Sequence, residues 1–294
     1  SCASTVAACA AAAVAIPGFA LPKGLAPLTT IWLHALMNAS STELRAGAAD
    51  AIGAAVELTP AAALKPFVIP LTGPLIRIVG DRFPPNVKVA ILRALTTLLR
   101  KASLALKPFV PQLQSTFVKA LADAQSDELR AQGAVALAEL APLSTRVEVL
   151  VTDMHGSLSG AATGVERAYL CALAGVLRKT SKPVSAALLA KVEAAAIERL
   201  PSEELGRAAA AAVAACGRWV EDGLPPLLER VEAGVKAAAV ADGPWRSDLA
   251  ELRVHLALLR LQPASTLSPL LPAMLATAVV AAASEESEVR QAAA

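Results

Sequence analysis

An all-α solenoid of antiparallel helix pairs is the fold class this sequence predicts, from its composition, an internal period and a repeated pentapeptide. Hydrophobic residues fill 55% of 294 positions while aromatics fill only 3%, and alanine is abundant. Alanine is the strongest helix former. A globular α/β enzyme of this size normally carries more aromatic bulk to build its core.

The period is set by a segment with an apolar residue, a basic residue and then small residues. Leu44-Arg45-Ala46-Gly47-Ala48-Ala49 is the first instance, Val87-Lys88-Val89-Ala90 lies 43 residues on, and Leu129-Arg130-Ala131-Gln132-Gly133-Ala134 a further 42. Weaker copies start at Val165, Leu205 and Val289. A period near 40 fits HEAT and armadillo arrays and is too long for the 34-residue tetratricopeptide unit. Leu64-Lys65-Pro66-Phe67-Val68 returns unchanged as Leu106-Lys107-Pro108-Phe109-Val110, 42 residues later. Proline fits the first turn of a helix, where its missing N–H costs nothing. Each unit is therefore expected to open on a Pro-led helix, with Pro27, Pro66, Pro108, Pro225-Pro226 and Pro269 in equivalent places, and the second helix to carry the basic residue. Asn38, Asp81 and Asp123 each precede Arg45, Lys88 and Arg130 by seven residues. They are expected to cap the turn between helices, or to meet the basic residue of the adjacent unit as a ladder.

These features predict a HEAT/armadillo-type array of about seven repeats. A trailing helix of a preceding repeat occupies residues 1–20. Units follow at 21–60, 61–103, 104–142, 143–181, 182–222 and 223–263, with a truncated one at 264–294. The chain opens and closes on helical alanine runs and is expected to be a piece of something longer. The uncharged stretches at 1–22 and 261–284 are interrupted by prolines and rich in alanine, so buried repeat helices are expected there rather than membrane spans.

Catalytic templates fail. No GxGxxG or P-loop occurs, and Gly156-Ser157-Leu158-Ser159-Gly160 places leucine where a nucleophile elbow needs serine, so an inter-helix turn is expected. His34, His155 and His255 share no metal-ligand spacing; Glu251 and His255 are expected to be a solvated pair on one helix face. Cys2, Cys9, Cys171 and Cys216 form no CxxC, and buried reduced thiols in a cytosolic protein are expected. No cofactor or metal is expected, and Trp32, Trp219 and Trp245 are expected to pack within or between repeats.

Charge is uneven. Residues 64–130 hold ten basic and four acidic side chains, although the whole chain is only +2. A basic stretch of this kind suggests an acidic partner. Lys88 and Arg130 occupy the ladder position; Arg77, Arg82 and Arg93 do not, and are expected to be freer to grip a carboxylate or phosphate.

Within this stretch, Gly73-Pro74-Leu75-Ile76-Arg77-Ile78-Val79-Gly80-Asp81-Arg82-Phe83 resembles the general-control translational activator family. So does Leu106-Lys107-Pro108-Phe109-Val110-Pro111-Gln112-Leu113-Gln114 with Thr116-Phe117 and Lys119. The resemblance is strong over 64–140 and generic after 180. That family consists of large HEAT-repeat co-activators of the starvation-responsive kinase that phosphorylates initiation factor two alpha. The resemblance implies a cytoplasmic, non-catalytic scaffold whose region here binds the kinase's RWD domain, through Arg77 and Arg82 and more weakly Lys88 and Arg93. It implies ribosome contact through the full-length protein and no membrane partner. An alternative from a different class has the basic strip binding ribosomal RNA directly, with steep salt dependence.

Overall fold

The structure is a computed structural model that describes residues 22–80, 83–220, 223–238 and 245–294. Every regular element among them is helical. The chain divides into two compact units, Ser1–Thr145 and Arg146–Ala294.

In the first unit the helices are α1 (Pro22–Asn38), α2 (Thr42–Leu58), α3 (Ala61–Gly80), α4 (Pro85–Ala102), α5 (Val110–Leu121) and α6 (Asp127–Leu140), with a 3-10 segment, Ser103–Phe109, leading into α5. They form two rows. The second helices α2, α4 and α6 pack in succession, and the first helices α1, α3 and α5 line up beside them. Helix α4 sits at the centre and buries Val87, Val89, Ile91, Leu92, Leu95, Leu98 and Leu99. Small residues set the spacing: a Cβ on Gly53 of α2 would lie 3.4 Å from the Ala94 Cα of α4.

The junctions repeat a single device. Ser41 and Ser126 cap α2 and α6, each hydroxyl oxygen accepting from the backbone N–H three residues on, Leu44 and Leu129, at 3.1 Å. An arginine in the first turn then reaches back to the unsatisfied carbonyls that end the preceding helix. Arg45 Nη1 donates to the carbonyls of Leu36 (2.8 Å) and Met37 (2.6 Å), and Arg130 Nη1 to that of Asp123. The turn cap is as expected at Asp123, whose Oδ1 accepts from the N–H groups of Gln125 and Ser126. An acid-to-base ladder at these positions is not: Arg45 and Arg130 hydrogen-bond within their own units, and what Arg45 meets in the next unit is the ring of Phe83, 4.6 Å from its guanidinium. Asn38 donates to the His34 carbonyl of its own helix. Asp81 lies outside the described residues.

Proline placement also differs. Helix α3 begins at Ala61, so Pro66, Pro70 and Pro74 lie inside it rather than at its start. Pro27 likewise lies inside α1. The identical pentapeptide is α-helical at 64–68, whereas its second copy passes through the 3-10 segment. Tertiary packing, not local sequence, selects the helix type. Helix α3 is long and apolar enough to cross a membrane by length and composition. Here it lays Leu64, Val68, Leu71, Leu75 and Ile78 into the unit's core.

The second unit holds α7 (Val147–Gly156), α8 (Thr163–Lys179), α9 (Ala186–Ile197), α10 (Gly206–Cys216), α11 (Leu224–Ala238), α12 (Trp245–Leu261), α13 (Ala264–Leu267), α14 (Leu271–Ala282) and α15 (Ser287–Ala293). Helices α8, α10, α12 and α15 pack in succession. The carbonyl clamp recurs, with Arg290 Nη1 donating to the carbonyls of Ser284 and Glu285. Tryptophans pack as expected: Trp32 is buried, Trp219 Nε1 donates to the Leu177 carbonyl at 3.0 Å, and Trp245 lies against the Leu249–Leu252–Val289 cluster.

Candidate interaction surface

The basic segment divides between the two rows of the first unit. On the second-helix row three cations of α4 are paired with carboxylates, while Lys88 in its first turn has no such partner among the described residues. Arg93, on α4, reaches Asp50 of α2 at 3.4 Å and Glu128 of α6 at 2.7 Å, so one guanidinium joins three successive second helices. Burial pushes the Asp50 carboxyl above its ordinary value, and Arg93 partly opposes that. Arg100 pairs with Glu139 at 2.7 Å. Lys101 lies 3.8 Å from the Glu57 carboxylate and donates to the Glu57 and Thr59 carbonyls. The expectation that Arg93 stands clear of the inter-repeat ladder is thus reversed: it is the ladder cation.

On the first-helix row four cations have no partner among the described residues. Lys65 and Arg77 lie on α3, Lys107 on the 3-10 segment and Lys119 on α5; all four are exposed. None makes an ion pair or hydrogen bond among the described residues. No acidic residue occurs in α3, the 3-10 segment or α5. Lys107 is Lys65 shifted by 42 residues, and Lys119 is Arg77 shifted by the same 42, so the four occupy two equivalent positions in adjacent units. Apolar side chains lie among them, Ile69 being 59% and Leu104 72% exposed. A cationic surface with apolar side chains interleaved is suited to an acidic protein partner. Lys65, Lys107 and Lys119 were not singled out from sequence; the 42-residue offsets and the absence of acids were the signals that could have found them.

Of the residues singled out for partner binding, Arg77 is therefore on the first-helix row, at the last turn of α3. Lys88 and Arg93 are on α4 in the second row, Lys88 half-buried in the first turn. The structure does not bring Arg77 together with Arg93. Arg82 lies outside the described residues.

Among the described residues the histidines and cysteines stand apart in sequence from the cationic segment 64–130. No group of three His, Cys, Asp or Glu side chains among the described residues could hold a metal ion. His255 is buried rather than solvated, 3.8 Å from Glu251, and burial lowers its pKa. Cys216 is buried and its thiol is pushed up to about 12 by burial, which removes it as a nucleophile at neutral pH. Cys171 is exposed, contrary to the expectation of burial, and Cys2 and Cys9 lie outside the described residues. The Gly156–Gly160 segment is the expected turn, with Gly160 at φ 79° and Leu158 buried.

Architecture and surface together define a class: a helical-repeat solenoid of the HEAT and armadillo type, whose stacked pairs leave a side-chain surface on each row. The archaeal HEAT-like repeats protein from Thermococcus onnurineus NA1 superposes with a TM-score of 0.50 at 16% identity, over 78% of this chain and 88% of that one. That likeness concerns the fold alone, and no family model matches the chain.

Its sequence is similar to proteins of one kind. It is 48% identical over 179 residues to Protein ILITYHIA of Arabidopsis thaliana, covering 61% of this chain and 7% of that protein. It is 44% identical over 171 residues to the eIF-2-alpha kinase activator GCN1 of Saccharomyces cerevisiae, covering 58% and 6%. It is 39% identical over 191 residues to the stalled ribosome sensor GCN1 of Homo sapiens, covering 64% and 7%. The resemblance to the general-control activators therefore holds: more than half of the chain is homologous to a segment of GCN1 proteins. It spans well under a tenth of the length of those relatives.

Proposed function

We propose that this chain is a non-catalytic, cytoplasmic scaffold segment. On this reading it docks the RWD domain of the starvation-responsive initiation-factor-two-alpha kinase and promotes that kinase's activation on ribosomes. The observation that carries the reading is the first-helix row, where four exposed cations have no partner among the described residues while Arg93, Arg100 and Lys101 of the second row meet carboxylates. The yeast relative's name, eIF-2-alpha kinase activator GCN1, supports the choice of partner. Arg77 leads the docking set, with Lys119 at the equivalent position of the next unit. Arg82 follows in the same basic run of the sequence, and Lys88 lies in the first turn of α4. The bound RWD domain would present carboxylates to Arg77, whose planar fork grips them bidentately.

The test is calorimetry of this chain with the kinase's RWD domain, wild type against the double variant Arg77→Glu/Lys119→Glu. Each anchor is worth about 2 kcal/mol, so the pair costs roughly a thousandfold in affinity while the circular dichroism spectrum stays helical. Wild-type chain that ignores the RWD domain but binds ribosomal RNA, with affinity collapsing between low and physiological salt, would move the surface to the alternative partner.

A further inference from the structure

Two second helices end on the same charged run. Leu177-Arg178-Lys179-Thr180-Ser181 closes α8, and Leu99-Arg100-Lys101-Ala102-Ser103 closes α4. Each places arginine three and lysine two positions before a serine. That spacing suits the acid-lined cleft of an arginine-directed serine kinase, which pairs carboxylates with the two cations while the serine reaches the phosphoryl donor.

The folded protein treats the arginine and serine of the two copies differently, while the lysine of each, Lys101 and Lys179, has a partner. Arg100 is held by Glu139 at 2.7 Å, and Lys101 is tied to the Glu57 and Thr59 carbonyls. Ser103 opens the 3-10 segment with helical backbone, φ −47° and ψ −47°, and is half-buried. Ser181 by contrast is exposed and lies in a segment without helix or strand that lasts until α9 begins at Ala186. Thr180 leaves α8 in extended conformation, φ −64° and ψ 142°, and Pro183 keeps the chain from resuming a helix. The Arg178 guanidinium is exposed and unpaired among the described residues; only its carbonyl is engaged, accepting from Arg218 Nη1. Thr180 is fully buried and its Oγ1 accepts from the Lys182 N–H at 3.1 Å, so of these adjacent hydroxyls Ser181 is the one presented to solvent.

We propose that Ser181 is a phosphorylation site for an arginine-directed serine kinase. In the transfer, Ser181 Oγ bonds to the γ-phosphorus of ATP, the bond from that phosphorus to the oxygen it shares with the β-phosphate breaks, and ADP leaves. The hydroxyl proton passes to the kinase's catalytic aspartate. The product carries roughly two negative charges between Arg178 and Lys182 and would pair with both, cancelling most of the charge of the three cations Arg178, Lys179 and Lys182.

The test exposes the full chain to the catalytic subunit of cAMP-dependent protein kinase with ATP and maps phosphate by mass spectrometry. Peptides spanning 97–105 and 175–185 serve as unstructured references. Both peptides are expected to be modified, whereas the folded chain takes phosphate at Ser181 at least about tenfold faster than at Ser103, a ratio that about 1.4 kcal/mol of extra local opening cost at Ser103 supplies. Arg178→Gln should slow modification of Ser181 by about tenfold with an unchanged circular dichroism spectrum, and Ser181→Ala should remove it. The proposal fails if the 175–185 peptide is not a substrate, if the folded chain resists at Ser181 or is modified faster at Ser103, or if Arg178→Gln makes no difference.

Discussion

Along the second-helix row of residues 22–145, Arg93, Arg100 and Lys101 each meet a carboxylate, whereas Lys65, Arg77, Lys107 and Lys119 of the first-helix row meet none among the described residues. The rows also bury different amounts. Helix α4 in the second row packs against helices on both sides of its row and against α3, while α3 keeps Ile69 exposed between its two cations. Arg93 and Arg100 are themselves about half exposed, so the acids that α2 and α6 place within reach, not burial, pair them, and Lys88 in the same row meets none among the described residues. The helices of the first row carry no acids, and water solvates their cations and leaves them available to a partner. Net charge per segment therefore misleads: the acids of neighbouring helices decide which cations are free.

The largest effect should come from the packed row itself. Leu95 is fully buried at the centre of α4, and Leu95→Ala should cost about 2–5 kcal/mol in urea unfolding, for the lost transfer energy and the cavity left behind. Next comes the carbonyl clamp. The Arg130 side chain is only 9% exposed, so Arg130→Met should cost about 1.5–3 kcal/mol by removing the donor to the Asp123 carbonyl. The ladder is smaller again. Arg93 and Asp50 are about half exposed, so Arg93→Gln should cost about 1 kcal/mol or less, with the difference shrinking in high salt. Arg77→Gln, on the open row, should leave the unfolding midpoint where it was. If Arg77→Gln destabilises the chain as much as Arg93→Gln does, the contrast between the rows is wrong.

The array was legible in the sequence because its signals are local and periodic: the 42-residue offset between the two Leu-Lys-Pro-Phe-Val copies, and Asp123 set in the turn it caps. What failed was whatever depended on a neighbour in space. Pro66 does not open its helix because α3 already runs from Ala61, with a face that buries Leu64 ahead of the proline. Arg93 looked free because no acid lies near it in sequence, yet Asp50 is 43 residues back, about one period, where a repeat-aware reading would look first. The identity of Arg77 as an unpaired cation could not be read that way, since it depends on what α5 lacks as well as on what α3 carries.

Arg93 also bears on the order of the units. It touches one acid from the second helix before it and one from the second helix after it. Consensus arrays tolerate shuffling because their units are interchangeable. Here, excising the stretch that contains α4 would bring α2 against α6 and set Asp50 facing Glu128, two like charges with no arginine between them. Shortened versions of this chain would thus carry an electrostatic mismatch at the splice, and the sequence of units is checked by charge as well as by shape.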